Sequence, residues 1–364
     1  MVEADGEGAE PPAKIAKGEG DTDKRKTGNT DGCGAGINGI GRAWGVEVGR
    51  VPRPQPGESV TAALTYQGDG VPRSLDPSGK VYTIRDGAGS DTEYFGCDFA
   101  RRDVQMTNGR GKRFTLDEHG FTLVDDVREH VDYGDEQQIL ETYYPACAEL
   151  VRKTLGAKEA YAFDHNVRSD KLKGATKYLK GGNAVQGPLF FVHNDYSRAS
   201  APRRVRDLAT PPKFNDTLRK VLGERPLIDP HRVDDLLAGR FAIVNVWRNI
   251  KKTPLQRLPL GLCDGSSVPK NDIVTFEIRY KDRVGENYFA GKSDGHRWYY
   301  FPDMVRDEAI LLKCWDSAGK DFAPPECIKT VPSTFSIHTA FEDPSTPPEA
   351  DDRESIEVRT VAFF

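Results

Sequence analysis

Beyond residue 43, apolar side chains fall in short runs of strand length, separated by Gly, Pro and Asp. VTAALTY (60–66), KVYTIRD (80–86) and FTLVD (121–125) read as strands. One helical stretch follows, in which Leu140, Tyr144, Cys147, Val151 and Leu155 recur at spacings of three and four. Asp135 and Gln138 suit its N-cap and N3 positions. Pro145 should kink it, having no N–H to donate, and Gly156 should stop it. From residue 159 the pattern turns to strands: EAYAFDHNVR (159–168), PLFFVHNDYS (188–197), RFAIVNVWRNI (240–250), DIVTFEIRY (272–280), RWYYFPDM (297–304), EAILLKCWDS (308–317), FSIHTAF (335–341) and SIEVRTVAF (355–363). Helical inserts are expected over 214–222 and 229–237. So many short strands predict a sandwich or barrel, with the long helix packed outside a sheet. There is no internal repeat.

Composition adds a boundary. Residues 1–43 hold no aromatic side chain and are rich in Gly, Glu, Asp, Lys and Ala. They bury too little apolar area to offset their ordering entropy, so a disordered tail is expected. Gly34, Gly36 and Gly39 spell GxGxxG there, but a dinucleotide-binding turn must follow a buried strand, which KRKTGNTDGC is not. The remainder divides into a mixed α/β region, 44–158, packing on a catalytic core, 159–364. No apolar run approaches the roughly 20 residues of a membrane span. The N-terminal stretch lacks the apolar core of a secretory signal. A net charge of −5 with interspersed signs gives no footprint for nucleic acid or lipid. The six cysteines show no CxxC and read as free thiols, so a cytoplasmic protein is expected.

Seven histidines are present: His119, His130, His165, His193, His231, His296 and His338. His193 and Asp195 stand two apart at the polar end of PLFFV, and the strand period of two puts both on one face. A bare HxD is common by chance. His338 lies in FSIHTAF and alone reads as a core histidine. Fifteen positions later Arg353 and Ser355 form an RxS pair entering the last strand. Same-face spacing lets a guanidinium and a hydroxyl meet one carboxylate. Two histidines and one carboxylate, with open positions left over, suit a non-haem iron. Arg359 is the rival for the carboxylate-binding role: it shares the parity of Arg353 but lies about 20 Å further along an extended strand and has no hydroxyl partner two residues on, which favours Arg353.

HND (193–195), IHTAF (337–341) and RES (353–355) resemble, in that order, the HxD…H…RxS signature of the Fe(II)/2-oxoglutarate-dependent oxygenases. VHNDYS, IVNVWRNI, PLGLCDGSSV, FAGKSDGHRWYYFPDM, DEAILLKCWDS, HTAFEDP and RESIEVR resemble the fungal hydroxylase/desaturase group. That group includes proteins similar to gibberellin desaturase, to the aspergillic-acid hydroxylase and to a cephamycin 7-α-methoxylation component. The resemblance covers about residue 185 to the C-terminus and, more loosely, reaches back to about residue 60. It implies a double-stranded β-helix (jelly-roll, cupin-like) core, mainly β with flanking helices. It implies Fe(II) on His193, Asp195 and His338, with 2-oxoglutarate anchored by Arg353 and Ser355 and O₂ as oxidant. The implied chemistry is hydroxylation, desaturation or oxidative cyclisation of a small molecule in specialised metabolism through an Fe(IV)-oxo species, releasing succinate and CO₂. The chain departs from the group in reading Trp247-Arg248-Asn249 for WRP and in carrying Asn194 inside the HxD, which bears on substrate contacts. A metal-dependent hydrolase or isomerase on the same fold is the alternative, and would need no RxS anchor. A non-catalytic binding protein is the other.

Several further positions invite roles. One of Trp247 and Arg248 must point inward, and Arg248 would suit a substrate carboxylate or solvent. Asn245 shares a face with Trp247 and would suit a hydrogen bond to cosubstrate. His296 follows the turn-forming Ser293-Asp294-Gly295 and reads as a loop histidine. Trp298 to Phe301 read as core, and Asp264, Ser266 and Ser267 as a turn. Asp164 and His165 suit supporting positions near the mouth of a barrel. Oligomeric state is not legible.

Overall fold

A computed structural model of the protein describes residues 51–364 apart from 86–90, 129, 170–186, 215, 282 and 324–328. The expected tail, its glycine motif, Cys33 and Cys327 lie outside the described residues. In chain order the elements are β1 (Ser59–Gln67), β2 (Tyr82–Arg85), β3 (Asp91–Phe95), β4 (Phe99–Asn108), α1 (Leu116–His119), β5 (Phe121–Asp125), α2 (Glu136–Gln138), α3 (Tyr144–Leu155), β6 (Glu159–Ser169) and β7 (His193–Asn194). They continue as α4 (Ser200–Leu208), α5 (Arg219–Leu222), α6 (Val233–Ala238), β8 (Phe241–Asn249), β9 (Leu260–Cys263), β10 (Ile273–Arg279), β11 (Val284–Ala290), β12 (Trp298–Tyr300), β13 (Glu308–Asp316), β14 (His338–Ala340) and β15 (Glu354–Phe363).

The strands form a ten-stranded sheet, β1-β4-β12-β9-β14-β7-β11-β10-β2-β3, and a five-stranded sheet, β5-β13-β8-β15-β6. The fold is mainly β, a jelly roll with flanking helices. Strands from both sides of residue 158 take part in both sheets: β1 and β4 extend the large one, and β5 pairs with β13 in the small one.

Pairing in the small sheet decides which residues face the space between the sheets. Ser355, Glu357 and Arg359 of β15 lie opposite Asn249, Trp247 and Asn245 of β8. On the other side they lie opposite Arg168, Asn166 and Asp164 of β6. Directly opposed residues share a face, so these nine form one polar-rich inner face. The alternate set, including Val246, Arg248, Ile356, Val358, His165 and Val167, faces α3, which lies against β6, β8 and β15. Both faces are thereby covered, and β8 is buried along its whole length. Each buried Val or Ile on the helix side contributes roughly 1.5–3 kcal/mol.

The long helix departs from the expected single kinked rod. α2 passes through a π-helical turn, Ile139–Tyr143, into α3, which carries Pro145 in its first turn. The wider turn accommodates a ring that donates no bond to the turn before it. Asp135 caps Gln137 N as expected of an N-cap. Gln138 does not complete the reciprocal box, since its Oε1 accepts from Asp132 N at 3.0 Å. Gly156 ends α3 in the left-handed region at φ +66°, accepting no side-chain penalty there.

The strand expected over 188–197 reduces to His193–Asn194, with one bridge from Phe191 to Thr65 before it. Pro188 has no N–H to donate to a ladder. The expected insert over 214–222 is only α5, while α4 was not anticipated: its Ser-Ala-Pro-Arg-Arg start carries little apolar periodicity. β3, β4, β9 and β11 were also not anticipated. β4 leaves one face largely open to solvent, and β9 is four residues with a glycine.

Candidate metal centre

His193 and His338 face each other on adjacent strands of the large sheet, their ring centroids 4.4 Å apart. Asp195 follows where β7 ends. One potential ligand atom from each of His193, Asp195 and His338 lies within 4.8 Å of the others. Both rings are held at Nδ1: His193 against Phe191 O at 2.7 Å, His338 against Ser336 O at 3.1 Å. A carbonyl only accepts, so each Nδ1 carries a proton and Nε2 is the ring atom left to bind a metal. His193 Nε2 lies 3.5 Å from Asp195 Oδ1. Burial, then the neighbouring His193, takes the His338 pKa down to about 3, which keeps the ring neutral. Burial alone would raise the Asp195 carboxyl, but the Arg359 guanidinium and His193 hold it well below the usual carboxylate range. Two imidazoles and one carboxylate, with one potential ligand atom of each brought together, fit a divalent first-row metal with positions left open.

The opposite wall comes from the small sheet. One cavity is lined by the triad together with Arg168, Trp247, Arg353 and Glu357. Its apolar part includes Leu189, Leu260 and Ala340. Arg353 donates from Nε to Ser355 Oγ at 3.1 Å and from Nη1 to Leu258 O at 2.9 Å. Its guanidinium stands over the Trp247 ring, 5.0 Å from the centroid. Leu258 adopts φ +52°, a left-handed conformation costing a side-chain-bearing residue about 1–2 kcal/mol. That turn aims its carbonyl at Arg353.

The remaining expectations sort by face. Arg359 reaches Asp195 rather than the RxS pair: Nε lies 3.4 Å from Asp195 Oδ2, Nη1 2.8 Å from Asp164 and Nη2 3.2 Å from Glu357. Asn245 donates to Asp195 Oδ2 at 2.9 Å, so its amide N–H is directed at a candidate ligand. Arg248 faces neither pocket nor solvent. It is fully buried under the helix, donating to Tyr143 Oη at 2.8 Å and pairing with Asp126. His165 shares that side and meets Tyr144 Oη at 2.8 Å. His296 lies in the loop before β12, as expected. Its side chain is buried between Tyr66 Oη, 3.2 Å away, and Asp272, 3.2 Å away. The two departures from the family pattern serve the backbone: Asn194 donates to Tyr196 O and Cys314 O, and Asn249 to Thr253 O and Met304 O. Glu357 and Arg168 were missed. The alternation already used for Arg353 and Ser355 puts Glu357 on their face, and the pairing of β6 with β15 adds Arg168.

Residues 73–363 match the family described as "Oxidoreductase/YMDC permease-like domain". Among the described residues no helix is long and apolar enough to cross a membrane. The alpha-ketoglutarate-dependent dioxygenase phiK from a fungal species is 30% identical over 267 residues, covering 72% of this chain and 84% of phiK. The chain belongs to the Fe(II)/2-oxoglutarate-dependent oxygenases. Another relative of this oxygenase is the hydroxylase/desaturase CTB9 of Cercospora beticola, 28% identical over 73% of this chain and 78% of CTB9. The solved structure of the iron and alpha-ketoglutarate-dependent endoperoxidase NvfI superposes with a TM-score of 0.62 at 22% identity, covering 84% of this chain and 98% of NvfI. It shares the fold.

Proposed function

We propose that this oxygenase binds Fe(II) through His193 Nε2, Asp195 Oδ1 and His338 Nε2, and 2-oxoglutarate through Arg353 and Ser355, to oxidise a small molecule of specialised metabolism. The observation that carries this reading is the single cavity shared by the triad and Arg353. Iron with 2-oxoglutarate and O₂ supplies the oxidising power to break an unactivated C–H bond, with succinate and CO₂ as co-products. The chain supplies the rest. The carbonyls of Phe191 and Ser336 fix both imidazole tautomers. Arg353 and Ser355 present a fork and a hydroxyl to the distal carboxylate. Trp247, Leu189 and Leu260 keep water from the reacting centre. Hydroxylation, desaturation and cyclisation share the same hydrogen abstraction, and how the substrate is held decides among them. The four described cysteines, Cys97, Cys147, Cys263 and Cys314, are unpaired, which supports a reducing compartment such as the cytoplasm.

The test is anaerobic. Fe(II) and 2-oxoglutarate added to the protein should give a visible charge-transfer band, and O₂ should then release succinate. His193→Ala and His338→Ala should lose both signals. A variant that keeps them would sink the ligand assignment. Retained zinc with no response to 2-oxoglutarate would instead favour hydrolytic or isomerase chemistry.

A further inference from the structure

The two oxygens of Asp195 have different neighbours. Oδ1 lies on the histidine side, 3.5 Å from His193 Nε2. Oδ2 turns to the small sheet, where it meets Asn245 Nδ2 at 2.9 Å and Arg359 Nε at 3.4 Å. Asn245 and Arg359 are directly opposed on β8 and β15, so their side chains arrive together from one face. Arg359 is not free to follow the carboxylate if it turns. Arg359 is tied to Asp164 and Glu357 through its other two nitrogens. Asn245 is fully buried. Its Oδ1 has no hydrogen-bond partner among the described residues, so the only bond fixing this amide is the one to Asp195.

We propose that Asn245 and Arg359 are positioning residues that confine Asp195 to binding the metal through one oxygen. The inference rests on the ligand assignment proposed above. A carboxylate can take a metal through one oxygen or both. Two-oxygen binding would consume one of the positions that a facial triad leaves open for cosubstrate and oxygen. With Oδ2 engaged by an amide and a guanidinium, only Oδ1 remains directed at the histidines. The large sheet thus supplies the ligands, and the small sheet sets how many positions they leave.

Mn(II) alone is the probe, because water-proton relaxation counts the exchangeable waters on the bound ion. Asn245→Ala and the volume-keeping Asn245→Leu remove the donor. Arg359→Lys keeps a charge but loses the fork. The Asn245 variants should bind Mn(II) about ten- to hundredfold more weakly. They should also show one exchangeable water fewer than the wild type, the change that general loosening of the fold would not produce. Arg359→Lys should lie between. A wild-type water count with wild-type affinity in both Asn245 variants would overturn the proposal. Weaker binding with an unchanged water count would also overturn it, leaving a structural role. If His193→Ala binds Mn(II) as the wild type does, the failure lies with the ligand assignment instead. Near-UV circular dichroism verifies that each variant is folded, and the pair of Asn245 substitutions guards against one of them failing to fold.

Discussion

Trp247 and Arg248 are neighbours in sequence and face opposite sides of the small sheet. Trp247 lines the cavity under Arg353, while Arg248 lies beneath the helix against Tyr143 and Asp126. Breaking a buried ion pair from one side leaves the other charge without compensation, at a cost of about 3–5 kcal/mol. Arg248→Met should therefore lower stability by that order in urea unfolding, with the affinity of the folded fraction for 2-oxoglutarate unchanged. A selective loss of affinity would return Arg248 to the pocket. Arg353→Leu should do the reverse: the KM for 2-oxoglutarate rises at least about tenfold, as for a lost charge-assisted contact, and the urea midpoint moves less than in Arg248→Met. At this scale the sequence is read well wherever strand parity suffices, as for His193 with Asp195 and Arg353 with Ser355. It reads poorly where strand pairing is needed. Nothing in a linear pattern says that Arg359 will reach across to Asp195, because that contact joins two sheets.

The elements that were legible are those with a complete apolar face. β1, β6, β8, β10, β13 and β15 each bury enough side chains for alternation or a continuous apolar run to show. β4 and β9 escaped because their strand character comes from neighbours rather than from their own residues. The π-helical turn ahead of Pro145 is likewise a packing solution, and its position depends on how Tyr143 and Tyr144 meet Arg248 and His165. Gly156 offers a local test. Space around an added Cβ is open, so only the left-handed backbone opposes substitution. Gly156→Ala should cost about 1 kcal/mol, measured as a shift in the urea midpoint without loss of metal binding. A neutral or stabilising result would show that the helix end relaxes.

Across the whole molecule, burial makes several histidines reluctant to take a proton. His165 has its pKa lowered by burial, against the opposing charge of Asp164. His296 is lowered by burial against Asp272. In the metal-free protein His338 adds to them. Each stays neutral when folded and protonates near pH 6.5 when unfolded. The unfolded state then binds more protons as pH falls, so stability should be flat above about pH 7 and decline below about 6.5. Each histidine contributes at most about 1.4 kcal/mol per pH unit until its folded pKa is reached. Urea midpoints of the metal-free protein between pH 8 and 5 test this, and a midpoint that rises on acidification would contradict it. Lowered carboxylates such as Asp195 enter only at lower pH, below their unfolded values.

The guanidinium of Arg353 over the Trp247 indole makes the anchor visible by light. A dianion drawn to Arg353 changes the charge resting on the indole face, and with it the emission of that tryptophan. Among the tryptophans of the described residues Trp247 is the one that lines this cavity, so adding 2-oxoglutarate without iron should alter intrinsic fluorescence. Trp247→Phe should abolish the response. The cosubstrate pocket then has its own optical gauge, readable before any substrate is known.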